Sequence, residues 1–181
     1  MSLATAWGVR PDEVARTYPC DDVLPDAPAR WFRAVGVDAP AAVVFPWLCQ
    51  LRRAPYSYDL VDNGGRRSPR TRDPRCEELA VGQRFMTIFV LDSFEPGRQV
   101  TVRIDDARAR RAFGDVVVTY DVRGDGAGRS RLVAVLRVAD GDRRPRRWSR
   151  RALGWGDLVM MRKQLRTLGA LAEAERGAAT R

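Results

Sequence analysis

Four stretches between Phe85 and Val138 constrain the fold more than any other feature of the chain. Phe85-Met86-Thr87-Ile88-Phe89-Val90-Leu91 is an apolar run. Val100, Val102 and Ile104 then alternate with Gln99, Thr101 and Arg103; Val116, Val118, Tyr120 and Val122 with Val117, Thr119 and Asp121; Leu132, Ala134, Leu136 and Val138 with Arg131, Val133, Val135 and Arg137. A period of two sends successive side chains to opposite faces of a strand. Turn formers separate the stretches, Glu95-Pro96-Gly97 after the first and Gly124-Asp125-Gly126-Ala127-Gly128 after the third. Strands joined by short turns predict an antiparallel meander. The period then changes. Leu158, Met161, Leu165, Leu168 and Ala172 form an apolar helical stripe, with Asp157 placed to cap it and Arg162, Lys163, Arg166 and Glu173 lying away from it. A long amphipathic helix after a meander must lay its stripe on the sheet's apolar face, which makes the fold class α+β.

Upstream of the meander, Trp31-Phe32-Arg33-Ala34-Val35-Gly36-Val37 reads as a first strand closed by Asp38-Ala39-Pro40. Val44, Trp47, Leu48 and Leu51 recur at helical spacing behind it, with Pro40 in the first turn, Asp38 or Ala39 near the cap, and an end before Pro55. Residues 55–76 are expected to be a long connection carrying arginines and two tyrosines. Residues 1–29 hold turn formers and few periodic positions, and predict an irregular strap across the domain with one short helix near Asp12–Tyr18. A length of 181 residues suits one domain, expected over residues 30–176, with 1–29 as an extension and 177–181 as a tail.

Composition excludes much chemistry. There is no histidine, so imidazole-based triads, histidine general bases and histidine metal sites are ruled out. Cys20, Cys49 and Cys76 are widely spaced, without a C-x-x-C pair, and read as free thiols in a reducing compartment. No metal site and no cofactor are expected. No apolar run approaches a membrane span, and Met1–Arg10 lacks the pattern of a signal peptide, so a cytoplasmic location is expected. Of 32 basic side chains, 31 are arginine, and the net charge is +9. Six arginines crowd around Trp148 in residues 143–151, at the approach to the closing helix, and others stand at Arg66, Arg67, Arg70, Arg72 and Arg75. Such clusters attract phosphate backbones or anionic membrane surfaces. A chain this biased toward arginine carries many on its solvated surface, and one tryptophan is a poor platform for successive bases. Weak anionic attraction is expected, with no specific nucleic acid.

The ordered set Val37-Asp38-Ala39-Pro40, Val44-Phe45-Pro46-Trp47-Leu48-Cys49-Gln50, Tyr56-Ser57-Tyr58-Asp59, Leu79-Ala80-Val81-Gly82-Gln83 and Gly156-Asp157-Leu158-Val159-Met160-Met161-Arg162-Lys163-Gln164-Leu165 resembles the SRPBCC superfamily. These are the helix-grip domains that include birch-pollen-allergen-like proteins, START domains and bacterial polyketide cyclases, and the likeness lies with the bacterial polyketide-cyclase-like branch. The resemblance implies a curved antiparallel sheet gripping a long C-terminal helix around an apolar cavity, with short helices after the first strand. It gives a cavity but not a reaction.

Trp47, Tyr58, Phe85, Phe89, Val102, Val118, Tyr120, Met161 and Leu165 are the expected lining for a hydrophobic or aromatic, lipid- or polyketide-like small molecule. Alternation alone does not tell a lined pocket from a packed interior. Tyr56, Tyr58, Asp59 and Tyr120 are the candidate acid–base groups if the chain is instead a cyclase or aromatase, phenols being better donors than bases near neutrality. Tyr56 and Tyr58 serve equally as loop packing, with Asp59 in a turn. Gly124-x-Gly126-x-Gly128 is a hairpin turn, because a phosphate-binding glycine loop must lead into a helix.

Overall fold

A computed structural model describes residues 2–58, 65, 67–139 and 147–179, the side chains of 147–152 excepted. Seven strands form one curved, unclosed sheet: β1 (Ala6–Trp7), β2 (Ala29–Val37), β3 (Arg84–Phe85), β4 (Phe89–Glu95), β5 (Gln99–Ile104), β6 (Val116–Gly124) and β7 (Ser130–Val138), in spatial order β1-β2-β7-β6-β5-β4-β3. All neighbours pair antiparallel except β1, which lies parallel to β2. The helices among the described residues are α1 (Pro11–Ala15), α2 (Pro19–Val23), α3 (Ala41–Cys49), α4 (Ala107–Phe113) and α5 (Arg147–Ala179). α3 runs into a 3-10 turn over Gln50–Arg52, and a second 3-10 turn covers Pro74–Glu77. This is the expected helix-grip α+β arrangement, with short helices after the first long strand and a long C-terminal helix.

Four local readings are corrected. The apolar run 85–91 is not one strand. It folds back between Phe85 and Phe89, which pair across a tight turn where Met86 (φ 44°) and Thr87 (φ 68°) are both left-handed. Neither residue type announces such a turn, because side chains with a Cβ avoid that region. The second correction is α4, which the alternation concealed. Asp106 accepts hydrogen bonds from the backbone N–H groups of Arg108 (2.9 Å) and Ala109 (2.7 Å), and Gly114 at φ 81° ends the helix. Third, α5 begins at Arg147, so Asp157 is not its cap but an interior residue. Fourth, Pro40 is the cap of α3 rather than a residue of its first turn. Within the arginine segment, 147–151 open α5, and 143–146 lie outside the described residues.

Both faces of the sheet are covered. The concave side carries Val37, Leu91, Val100, Val102, Val118, Tyr120, Val122, Leu132, Ala134 and Leu136 against α3 and the α5 stripe, in one buried cluster. The convex side carries Phe32, Ala34, Val117, Val133 and Val135 against Tyr18 and Cys20. The expected irregular strap is therefore ordered as β1, α1 and α2, with the first helix ending at Ala15 and a second one after it. Polar bonds tie it to the sheet. The Cys20 N–H donates to Thr119 Oγ1 at 3.0 Å, Arg131 grips the buried Glu13 carboxylate through two bonds of 2.7 and 2.8 Å, and Arg30 holds Asp21 at 2.9 and 2.7 Å. Arg137 donates to the carbonyls of Leu24 and Pro25.

A buried ion pair locks α5 to β2. Arg33 lies on the concave face with no exposed side-chain surface, and it meets Asp157 of α5 at 2.9 Å. The same guanidinium donates to the carbonyls of Phe32 (2.9 Å), Ala4 (2.8 Å) and Gly154 (3.3 Å). A sealed cation needs such partners, since burying an unpaired charge costs several kcal/mol or more. Burial pushes the Asp157 carboxyl up to about 6, and the Arg33 charge opposes that shift only in part. Above and below the clasp, Gly154 sits on Trp31 and Gly169 on Val37, where an added Cβ would lie 3.6 and 3.2 Å from the strand's side chains.

Three outcomes follow from this packing. Leu165→Ala, at a site with no exposure, is expected to cost ~2–5 kcal/mol in urea unfolding. Gly8→Ala combines a left-handed φ of 71° with a Cβ 2.2 Å from the Ala34 carbonyl oxygen, so it should cost ~1–3 kcal/mol or more and detach β1 from β2. In a carboxyl-detected NMR titration Asp157 should titrate near pH 6, far above the usual 3.8. Arg33→Met should move it higher still, because removing the counter-charge leaves burial unopposed.

Candidate functional site

The interior between the concave face and α5 is the one place where the expected site residues converge. Phe85, Val102, Val118, Tyr120, Met161 and Leu165 lie in one buried cluster, with Phe89 partly buried against it. Strand register brings them together: Val102 pairs with Val118, Val100 with Tyr120, and Phe85 with Phe89. Phe85, Val102 and Leu165 have no exposure at all, so no water-sized void touches them.

Beside the Arg33–Asp157 clasp, a second polar pair stands among these apolar side chains. The Tyr120 hydroxyl donates to Gln164 Oε1 at 2.7 Å, while Gln164 Nε2 donates to the Pro55 carbonyl at 2.7 Å and lies 3.2 Å from the Met86 sulfur. Met86 and Met161 flank the phenol oxygen with their sulfurs at 3.8 and 3.7 Å. Gln164 is placed by the helix repeat, three residues after Met161 on the same buried side of α5. Burial first, and the Asp157 charge second, push the Tyr120 phenol far above its ordinary range, and the bond to Gln164 only partly offsets this. Tyr120 is thus a hydrogen-bond donor that does not ionise, and its partner is an amide that cannot titrate.

Trp47 and Tyr56 belong to the same buried cluster, and Tyr58 does not. Trp47 is buried, but its indole N–H donates to Glu175 Oε2 at 2.7 Å, so it ties α3 to the far end of α5. Tyr58 is 43% exposed and outside the interior. Tyr56 is buried in the concave-side cluster with a left-handed φ of 54°. Asp59 lies outside the described residues. Sequence reading missed Gln164 and Met86. Gln164 was legible as the one polar residue among buried α5 neighbours, whereas nothing in the sequence marks Met86 as the residue that turns inward.

Nucleophilic chemistry finds no footing on the thiols. Cys20, Cys49 and Cys76 are all buried and free. Burial pushes the Cys49 thiol up to about 12 and Cys20 to about 11, far from the thiolate that attacks. Among the described residues no three histidine, cysteine, aspartate or glutamate side chains stand together as metal ligands, and no helix is long and apolar enough to cross a membrane.

No protein-family model matches the chain, and no curated protein does. Solved structures do match. The di-domain ARO/CYC StfQ from the steffimycin biosynthetic pathway superposes with a TM-score of 0.51 at 11% identity, over 86% of this chain and 54% of that one, so this chain spans about half of the di-domain. The protein XoxI from Bacillus cereus superposes with a TM-score of 0.51 at 14% identity, over 81% of this chain and 98% of that one. Identities this low speak to the fold alone. With its sheet curved around α5, the chain has a helix-grip α+β fold and shares that architecture with these two structures.

Proposed function

We propose that this chain binds a hydrophobic or aromatic small molecule, lipid- or polyketide-like, between the concave face of the sheet and α5, within residues 30–176 and in the bacterial cytoplasm. The observation that carries the reading is the Tyr120–Gln164 pair, an oriented polar contact among the apolar side chains of the concave-side cluster. Binding sites for apolar ligands are built this way, with a few placed polar groups that fix orientation. A ligand carbonyl would accept a hydrogen bond from the Tyr120 hydroxyl, and a ligand hydroxyl would donate to Gln164 Oε1. Because Phe85, Val102 and Leu165 are sealed, entry past them is by displacement, and the flanking Met86 and Met161 are the side chains suited to it. Unbranched thioethers repack at low cost. Acid–base cyclisation is the weaker reading, since the hydrogen-bond partner of Tyr120 is an amide and Tyr58 stands in solvent.

Native mass spectrometry of the gently purified protein is expected to find a retained apolar molecule. In titrations with neutral 2-naphthol as probe, amide shifts should centre on Met86, Met161 and Gln164. Tyr120→Phe should weaken binding by about five- to tenfold, the worth of one buried hydrogen bond. If the probe does not saturate, or its shifts avoid these residues, the proposal fails.

A further inference from the structure

A second site lies outside the interior. The Gln50–Arg52 turn, the Pro74–Glu77 turn and the start of β3 border a shallow, open groove of about 450 Å³, whose walls include Arg52, Arg53, Asp73, Arg75, Gln83 and Arg84. That volume suits a small metabolite. The groove is built rather than incidental. Buried Gln50 holds Asp73 at both backbone atoms, accepting from its N–H at 3.0 Å and donating to its carbonyl at 3.1 Å. Arg52 Nη1 donates to the carbonyls of Arg75 (2.8 Å) and Glu78 (3.1 Å), and Gln83 Nε2 donates to the Glu78 carbonyl at 3.1 Å. The Gln83 backbone is fixed in turn by the Leu91 N–H, at 2.8 Å.

Charge in the groove is unbalanced. Four guanidiniums share one lining carboxylate, Asp73. Arg75 takes that carboxylate through two bonds of 3.1 and 3.0 Å, and Arg53 reaches it only at 3.8 Å. Arg52 and Arg84 meet no carboxylate among the described residues; Arg84 gives one N–H to the Thr87 carbonyl at 3.1 Å. Gln83, a lining residue, adds a different signal, because its Oε1 is sealed without a hydrogen-bond partner. A buried acceptor left unmade costs about 1–3 kcal/mol, which a ligand hydroxyl would recover once the half-buried side chain turns into the groove.

We infer that this groove binds a small hydroxylated organic phosphate of the sugar-phosphate class, with Arg52, Arg53 and Arg84 on the phosphate and Gln83 Oε1 on a hydroxyl. Guanidinium forks match phosphate oxygens in geometry and charge. The walls are tied by their own backbone bonds, so little ordering opposes binding.

The test is an amide-shift titration of the full chain with ribose 5-phosphate, inorganic phosphate and ribose, alongside thermal unfolding of each variant. Ribose 5-phosphate should saturate below about 10 mM with shifts on residues 50, 52, 53, 73–78 and 82–84, inorganic phosphate should bind about tenfold more weakly at the same residues, and ribose should not bind. Arg53→Ala and Arg84→Ala should each weaken the phosphate ligands about tenfold, while Arg108→Ala, on exposed α4, leaves them within about twofold. Gln83→Leu should erase the preference for ribose 5-phosphate over inorganic phosphate and leave inorganic phosphate unchanged. Loss of binding in Arg108→Ala would mean general charge attraction and overturn the proposal. So would a lack of saturation in the wild-type chain, equal binding of the two phosphates, or an oligonucleotide that occupies the same residues more tightly than ribose 5-phosphate. None of these readouts involves the interior beneath α5, so this site stands or falls independently of the apolar one.

Discussion

A guanidinium sealed between a strand and a helix decides how this molecule is assembled. Arg33 cannot stay on the concave face unless Asp157 and three backbone carbonyls come to it, and those partners belong to α5, to β2 itself and to the segment before β1. One side chain thus fixes the height of the helix over the sheet and draws the N-terminal segment to the same point. The two glycines on either side of the clasp let α5 approach β2 where bulkier residues would hold it away. Everything beneath the helix inherits its spacing from this contact, including the depth at which Gln164 meets Tyr120.

The arginine excess has a structural use on the opposite face. A sheet covered on one side presents polar alternation on the other, yet here the outward residues Phe32, Val117, Val133 and Val135 are apolar and need a cover. A strap of short helices has too little core of its own to fold alone. Arg30, Arg131 and Arg137 hold it down by pairing with carboxylates and carbonyls of the strap, each fork making two or more bonds. Arginine suits this role better than lysine because its planar fork loses less freedom for each bond it forms. The positive charge that suggests anionic partners in the sequence is therefore partly spent in holding the convex face closed.

How much of this was legible in the sequence depended on whether periodicity carried it. The strands from Gln99 onward, the helix after Pro40 and the α5 stripe were readable because each repeats every two or three to four residues against a core. The fold-back at Met86–Thr87 was not, because tertiary bonds impose its left-handed conformation and no glycine or asparagine marks it. Asp157 had the residue type of a cap, and only the depth of Arg33 explains its place inside the helix. The helix over Ala107–Phe113 did carry its signals, Asp106 before it and Gly114 after it, but strand alternation on both sides masked them. Strand period sets Val117, Val133 and Val135 on the face opposite Val118, Leu132 and Leu136, but what covers them could not be read from it at all. Of the candidate site, the apolar lining followed from face assignment, but its polar centre needed Gln164, which a stripe of apolar positions omits.

The Met86–Thr87 turn joins the two candidate sites in one piece of backbone. Left-handed conformations at two adjacent side chains cost ~1–3 kcal/mol each, and they persist only where the surroundings over-determine them. Here the Met86 N–H donates to the Leu51 carbonyl at 2.9 Å, the Ile88 N–H to the Met86 carbonyl at 2.8 Å, and the Asp105 N–H to the Ile88 carbonyl at 2.9 Å, so both flanks of the turn are pinned. The turn then faces two ways. The Met86 sulfur reaches inward to Gln164 and Tyr120, while the Thr87 carbonyl outside accepts a hydrogen bond from Arg84 on the groove wall. A smooth strand through 85–91 would put alternate residues on fixed faces and could not bring both to their partners. The strained turn is the geometry that lets one short segment close the apolar interior and hold an arginine at the edge of the groove.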